Sequence, residues 1–94
     1  METKVLATIM KLQAAQVMLS TYGISTYFTT LCIKHGNLEL TAFTHNDTED
    51  KIASEILEAY ESEEIKKTYR KHNEGTDEEF RAFTLKVYMT NLTD

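Results

Sequence analysis

The first repeat of apolar positions predicts a helix over residues 3–20. One face of that helix carries residues spaced by three and four along the chain, namely Val5, Ile9, Leu12, Gln16 and Leu19. We expect Leu6, Met10 and Val17 to widen this face. Gly23 follows as a stop signal, because glycine readily adopts the left-handed conformation that ends many helices.

Two later segments are rich in strand-forming residues. Residues 24–44 predict a hairpin, with Gly36-Asn37 as its two-residue turn. The expected cross-strand pairs are Ile33 with Leu40, Leu31 with Ala42, and Lys34 with Glu39. Near the C-terminus, "FTLKVYMT" alternates strictly and predicts a final strand. Its inward-facing residues are expected to be Phe83, Leu85, Val87 and Met89.

The segment between the hairpin and the final strand predicts two helical stretches. Asp47 is a suitable N-cap for the first stretch. The expected buried stripe of this helix is Ile52, Ile56, Ala59 and Tyr60, with Ala53 and Leu57 at its edge. The second stretch starts at Ser62, with acids at its head and a basic tail of Lys66, Lys67, Arg70 and Lys71, as the helix dipole favours. Continuity through Ser62 is left open, and Thr76 with Glu79 predicts a further short helical turn.

These elements predict one small α+β domain over residues 1–94, with the order α-β-β-α-α-β. Helices would cover the apolar face of a three-stranded antiparallel sheet. A chain of 94 residues with 41% apolar and 27% charged residues fits one globular domain with a modest core.

The net charge of -5 comes entirely from one segment of the chain. Residues 46–79 hold twelve acids and five bases, a net of -7, whereas the flanking segments are each slightly basic. This balance argues against direct binding to nucleic acid or to an anionic membrane, and it permits a basic protein partner. The basic tail together with Tyr69 resembles a phosphate-tracking face, but we interpret it as the end of a helix whose acidic head would repel phosphates.

Signals for catalysis, cofactors or membrane insertion are weak. Cys32-x-x-His35 supplies one half of a zinc-ligand pattern and the second pair is missing, so we expect no metal. No Gly-rich phosphate loop or activated nucleophile is evident, so we expect no catalytic residue, no cofactor and no enzyme activity. A single cysteine, no secretory pattern and no long apolar run predict a cytoplasmic protein without a membrane span.

The acidic face of the first central helix is the main functional signal. On a helical wheel, Asp50, Glu55, Glu58 and Glu61 lie opposite the buried stripe. Glu58 has Ser62 at i+4 and Glu61 at i+3, so it lacks the cationic neighbour that usually compensates a helical carboxylate. An uncompensated row of carboxylates suggests mimicry of nucleic acid. The plainer alternative is a solvated helix face.

Two short strings carry a resemblance to a known family. "HGNLEL" in the hairpin and "TDEEFRAFTLK" near the C-terminus resemble the small acidic anti-CRISPR proteins of phages that inhibit type II-A Cas9. The resemblance implies that acidic residues occupy the nuclease's site for the DNA protospacer-adjacent motif. The corresponding residues here are Glu74, Asp77, Glu78 and Glu79.

The sequence therefore supports two hypotheses. In the first, the chain is a phage-type inhibitor acting in the host cytoplasm, and its partner is a basic nucleic-acid-binding protein such as a CRISPR effector. The partner-binding residues would be Asp50, Glu55, Glu58, Glu61, Glu74, Asp77, Glu78 and Glu79. In the second, it is a homodimeric structural or assembly module that associates through apolar residues of the first helix such as Val17 and Met18. A small-ligand sensor is a third alternative, although no pocket is evident.

Overall fold

The computed structural model describes residues 3–30 and 36–92. Two helices and four strands follow one another as α1 (Thr3–Thr21), β1 (Ser25–Thr30), β2 (Asn37–Thr44), α2 (Asp47–Glu58), β3 (Lys66–His72) and β4 (Phe80–Tyr88), and a short 3₁₀ helix (Met89–Leu92) comes last. The strands form one antiparallel sheet in the order β1-β2-β4-β3. The α+β class is confirmed, but the sheet has four strands and not three.

Helix α1 buries the predicted face only in part. Val5, Leu12 and Leu19 lie in the core, together with Thr8 and Ala15. The three residues expected to widen the buried face point the other way: Leu6 is 49% exposed, Met10 is 60% exposed and Val17 is 65% exposed. The helix is apolar on both sides, and the sheet covers only one of them.

Helix α2 begins one residue earlier than the sequence pattern indicated. Asn46 is the N-cap, and its side chain accepts a hydrogen bond from the Glu49 backbone N–H at 2.8 Å. The Glu49 carboxylate in return accepts one from the N–H of His45, the residue before the N-cap, so side-chain bonds run in both directions across the helix start. Within the helix, Ala53 and Leu57 are fully buried, so the buried stripe is centred on the residues that had been assigned to its edge.

The second predicted central helix is wrong, because residues 66–72 form strand β3 at the edge of the sheet. Pairing with β4 supplies contacts that an isolated helix lacks: the rings of Tyr69 and Phe83 lie 4.8 Å apart, and His72 stacks on Phe80 at 4.6 Å. Favourable charge placement in a helix is worth only about 0.3–1 kcal/mol, so tertiary pairing prevails. The basic tail is thereby divided between the two faces of the sheet.

The register of the β1–β2 hairpin also differs from the prediction. Leu40 lies opposite Phe28, Ala42 opposite Thr26, and Glu39 opposite Thr29. The predicted partners Leu31, Ile33 and Lys34 lie outside the described residues. The observed register brings Phe28, the large apolar residue of β1, onto the buried face beside Leu40. Asn37 is the first residue of β2, so Gly36-Asn37 is not the two-residue turn of this hairpin.

The two faces of the sheet differ in kind. One face packs on both helices, and its buried residues in the central strands are Leu38, Leu40, Ala42, Thr44, Phe83, Leu85 and Val87. The predicted inward alternation of Phe83, Leu85 and Val87 is confirmed. We call the opposite side the open face, because no described element covers it. Its aromatic and charged residues are Tyr27, Glu39, Phe43, Lys66, Arg70, His72, Phe80, Lys86 and Tyr88.

Leu85 lies at the centre of the buried face, opposite Leu40 and fully buried. We expect Leu85→Ala to lower the free energy of unfolding by about 2–5 kcal/mol, because the lost methyl groups leave a cavity between sheet and helices. Urea denaturation followed by circular dichroism measures this. Ser25→Ala, an exposed change in β1, should stay within about 0.5 kcal/mol. Equal effects of the two changes would contradict the described core.

Candidate functional site: the acidic surface

Arg81 organises the carboxylates at one end of the molecule. Its guanidinium nitrogens lie 3.7 Å from Asp47, 3.5 Å from Asp50 and 3.5 Å from Glu79. Its side chain is only 13% exposed, and Nε and Nη1 have no hydrogen-bond partner in the described structure. At these distances the group acts by charge and not by hydrogen bonding. Asp50 also accepts a hydrogen bond from the buried Thr44 hydroxyl.

Lys67 organises the other end of α2. Its Nζ lies 2.9 Å from Glu58 and 4.0 Å from Glu61, and it also donates a hydrogen bond to the Ser54 hydroxyl at 3.0 Å. The hydrogen bond from Lys67, its positive charge and a weaker bond from Ser54 together hold the pKa of the Glu58 carboxyl below its ordinary value. The interpretation of Glu58 as uncompensated is therefore wrong: its cation comes from the helix-facing side of β3 and not from its own helix.

The connection between β3 and β4 presents the remaining acids. Asn73 adopts a positive φ of 54°, the Gly75 N–H donates to the Glu79 carboxylate, and the Glu78 N–H donates to the Thr76 hydroxyl. These bonds shape a turn where the sequence predicted a short helix. Glu74 lies 3.9 Å from Lys71.

The eight carboxylates predicted to bind a partner thus fall into two groups. Five of them lie within 4 Å of a cationic side chain, namely Asp50, Glu58, Glu61, Glu74 and Glu79. Glu55, Asp77 and Glu78 are exposed and form no ion pair with any other described residue. We call the carboxylates around the start of α2 and in the β3–β4 connection the acidic end: Asp47, Asp50, Glu74, Asp77, Glu78 and Glu79.

Sequence reasoning missed two members of this site. Asp47 was assigned only to helix capping, and Arg81 received no role. A signal for Arg81 was present, because strict alternation places it on the same face as Phe83 and Leu85. A cation on a core-facing position needs carboxylate partners, and α2 supplies them.

Other site types find no support in the described part of the chain. Among residues 3–30 and 36–92, no group of three or more His, Cys, Asp and Glu side chains is arranged to hold a metal ion. Cys32 and His35 lie outside those ranges. Neither helix described here combines the length and the apolar character that crossing a membrane requires.

Comparison with known proteins gives no information on function, so the function is inferred from the surface chemistry. No family model, curated protein or solved structure matches the chain.

The Glu58–Lys67 pair should make stability depend on pH. Because the folded-state pKa of Glu58 is lowered, the pair stabilises the fold above the usual glutamate pKa of about 4.3 and loses that contribution as the pH falls through the lowered value. We expect Glu58→Gln to unfold at a lower temperature than the parent chain at neutral pH.

Thermal melts of both chains across acidic to neutral pH measure this difference, which should close at low pH. Glu55→Gln, which removes a charge from the same helix without breaking a described ion pair, should show no such convergence. A gap for Glu58→Gln that stays constant with pH would contradict the pairing.

Proposed function

We propose that this protein is a non-catalytic inhibitor whose acidic end occupies the basic nucleic-acid site of a partner protein. The observation that carries the proposal is the concentration of carboxylates at the start of α2 and in the β3–β4 connection, where three of them share the single guanidinium of Arg81. Unbalanced negative charge on an exposed turn suits a groove built to hold phosphates.

The class of partner follows from charge and from the resemblance of the "TDEEFRAFTLK" segment to anti-CRISPR proteins. That resemblance favours a CRISPR effector nuclease as the partner. Asp77 and Glu78 would then contact the site at which the nuclease binds the DNA protospacer-adjacent motif. The protein would act in the cytoplasm of the host cell. Charge would steer association, so binding would weaken as salt is added.

The ion pairs indicate which of the predicted carboxylates are available to contact a partner. Glu58 and Glu61 both pair with Lys67, and these ion pairs connect the end of α2 to β3. A carboxylate that binds Lys67 is less available to bind a cation of the partner. Asp77 and Glu78 carry no such task among the described residues, and Glu55 is the third exposed candidate. Substitutions at the turn therefore test the proposal with less risk to the fold than charge reversal at Glu58 and Glu61.

We expect Asp77→Asn with Glu78→Gln to weaken inhibition, because two steering charges are lost without loss of packing. The assay measures displacement of a labelled target duplex from a type II-A Cas9–guide RNA complex by increasing amounts of the protein. The parent chain should displace the duplex, less effectively as salt is added, and the double variant should need a higher concentration.

Glu63→Lys is the matched control, because it changes the net charge by the same two units at an exposed residue outside the acidic end. If the control weakens displacement as much as the turn variant, net charge alone is responsible and the acidic end is not the contact site. Absence of displacement by the parent chain in large molar excess would exclude this effector.

The outer side of α1 favours a second candidate function, a homodimeric structural or assembly module. Leu6, Met10 and Val17 lie four and seven residues apart, so they form one stripe on the side of α1 opposite the core. A helix that is apolar on both sides is typical of a buried position. Two copies packed through this stripe would bury it.

We expect Val17→Glu to shift a dimer to monomer, because a charge within the stripe would have to be buried unpaired. Sedimentation velocity at low and moderate salt measures the state. Lys11→Glu, an exposed change beside the stripe, is the control. A parent chain that is monomeric at all concentrations tested would rule out this module.

A further inference from the structure

The open face of the sheet carries a second charged surface, opposite in sign to the acidic end. Strand β3 is an edge strand, and alternation divides its cations: Lys67 and Lys71 face the helices, whereas Lys66 and Arg70 point to the open face. Lys86 lies beside Lys66 on β4. Glu39, opposite Lys86 on β2, is the acid of the open face. Among the described residues, the face therefore carries three cations against one carboxylate.

Aromatic rings accompany these cations. Tyr27 on β1 is 62% exposed and Tyr88 on β4 is 53% exposed. Lys86 Nζ lies 5.1 Å from the centre of the Tyr88 ring, so cation and ring form one unit.

Three further rings form a cluster nearer the β3–β4 connection. Phe43 and Phe80 meet edge to face at 6.1 Å, and His72 stacks on Phe80 with the planes 8° apart. These rings are partly buried by one another, so they form the floor of the face. Tyr27 and Tyr88 remain available to a ligand.

We propose that the open face binds single-stranded nucleic acid. Exposed rings on a sheet offer stacking surfaces that are sequence-tolerant, since every base has a π-face, and neighbouring cations hold the backbone phosphates. A duplex would satisfy the cations but keep its bases stacked inside, so the rings favour an unpaired strand. This activity goes beyond the proposed inhibition and does not depend on it.

The net charge of -5 does not prevent a nucleic-acid strand from binding to the open face. The acids of α2 project from the helix side of the sheet, and the acids of the β3–β4 connection lie at one end of the molecule. At physiological salt, charges more than about 8 Å apart are largely screened. The strand should therefore run from Arg70 past Lys66 and Lys86 to Tyr88, and it should not continue onto the turn that holds Asp77 and Glu78.

Fluorescence anisotropy with labelled oligothymidine and oligouridine at low salt tests the proposal without any partner protein. We expect both strands to bind, and the corresponding duplex to bind more weakly. Tyr88→Ala should weaken binding roughly five- to a hundredfold, the range for loss of one stacked base, while Tyr88→Phe should retain it. Tyr69→Ala, which removes a half-exposed ring from the helix side, should have no effect.

Adjacent residues of β3 provide the matched charge control. Arg70→Gln and Lys71→Gln each remove one cation from the same strand, but from opposite faces. Arg70→Gln should weaken binding and reduce the slope of log affinity against log salt by about 0.7, the value for one phosphate of a single strand. Lys71→Gln should leave the slope unchanged.

Several outcomes would overturn the proposal. An abasic oligonucleotide that binds as tightly as oligothymidine would show that the rings take no part. Equal binding of polyglutamate would identify the ligand as any polyanion, such as an acidic protein segment. Equal losses from Arg70→Gln and Lys71→Gln would remove the assignment to the open face. No binding at low salt would reject it outright, without bearing on the acidic end.

Discussion

The pairing of β3 with β4 decides where the charged surfaces of the protein lie. It places β4 in the interior of the sheet, brings Lys67 under α2, and sends Lys66 and Arg70 to the far side. If residues 62–72 were helical, their cations would form one solvent-facing cluster and Glu58 would have no partner. A single choice between helix and strand thus separates an acidic surface from a basic one.

The carboxylates of the acidic end compensate the charge of Arg81. Arg81 occupies a core-facing position of β4, where a charged side chain is costly unless carboxylates surround it. Asp47, Asp50 and Glu79 supply that environment and join α2 to the sheet. The group retains excess negative charge after the guanidinium is counted. Stability and a negative surface field therefore arise from the same residues, and mutations there will affect both.

The sequence predicts correctly those parts of the fold in which burial of apolar side chains alone decides the local structure. Two predictions are confirmed for this reason: the alternation of Phe83, Leu85 and Val87, and the helical spacing of Leu12 and Leu19. All five side chains are buried in the core. Strand β3 escapes prediction because its residues are mostly exposed on both faces, so no apolar alternation marks it. Its charge order also suits a helix dipole, and only pairing with β4 overrides that preference. The candidate site fails to emerge for the same reason, since Lys67 meets Glu58 only when β3 pairs with β4 and places Lys67 under α2.

The two edges of the sheet are unequal in a way that bears on handling the protein in solution. Strand β3 carries four cations along its length, and like charges discourage two such edges from meeting. Strand β1, with the sequence STYFTT, has no charged residue at all. Uncharged, β-branched edges readily accept another strand, so two molecules in a concentrated sample should pair by joining β1 to β1. Crystallisation and storage conditions that leave this edge unblocked will favour one continuous sheet shared between two molecules.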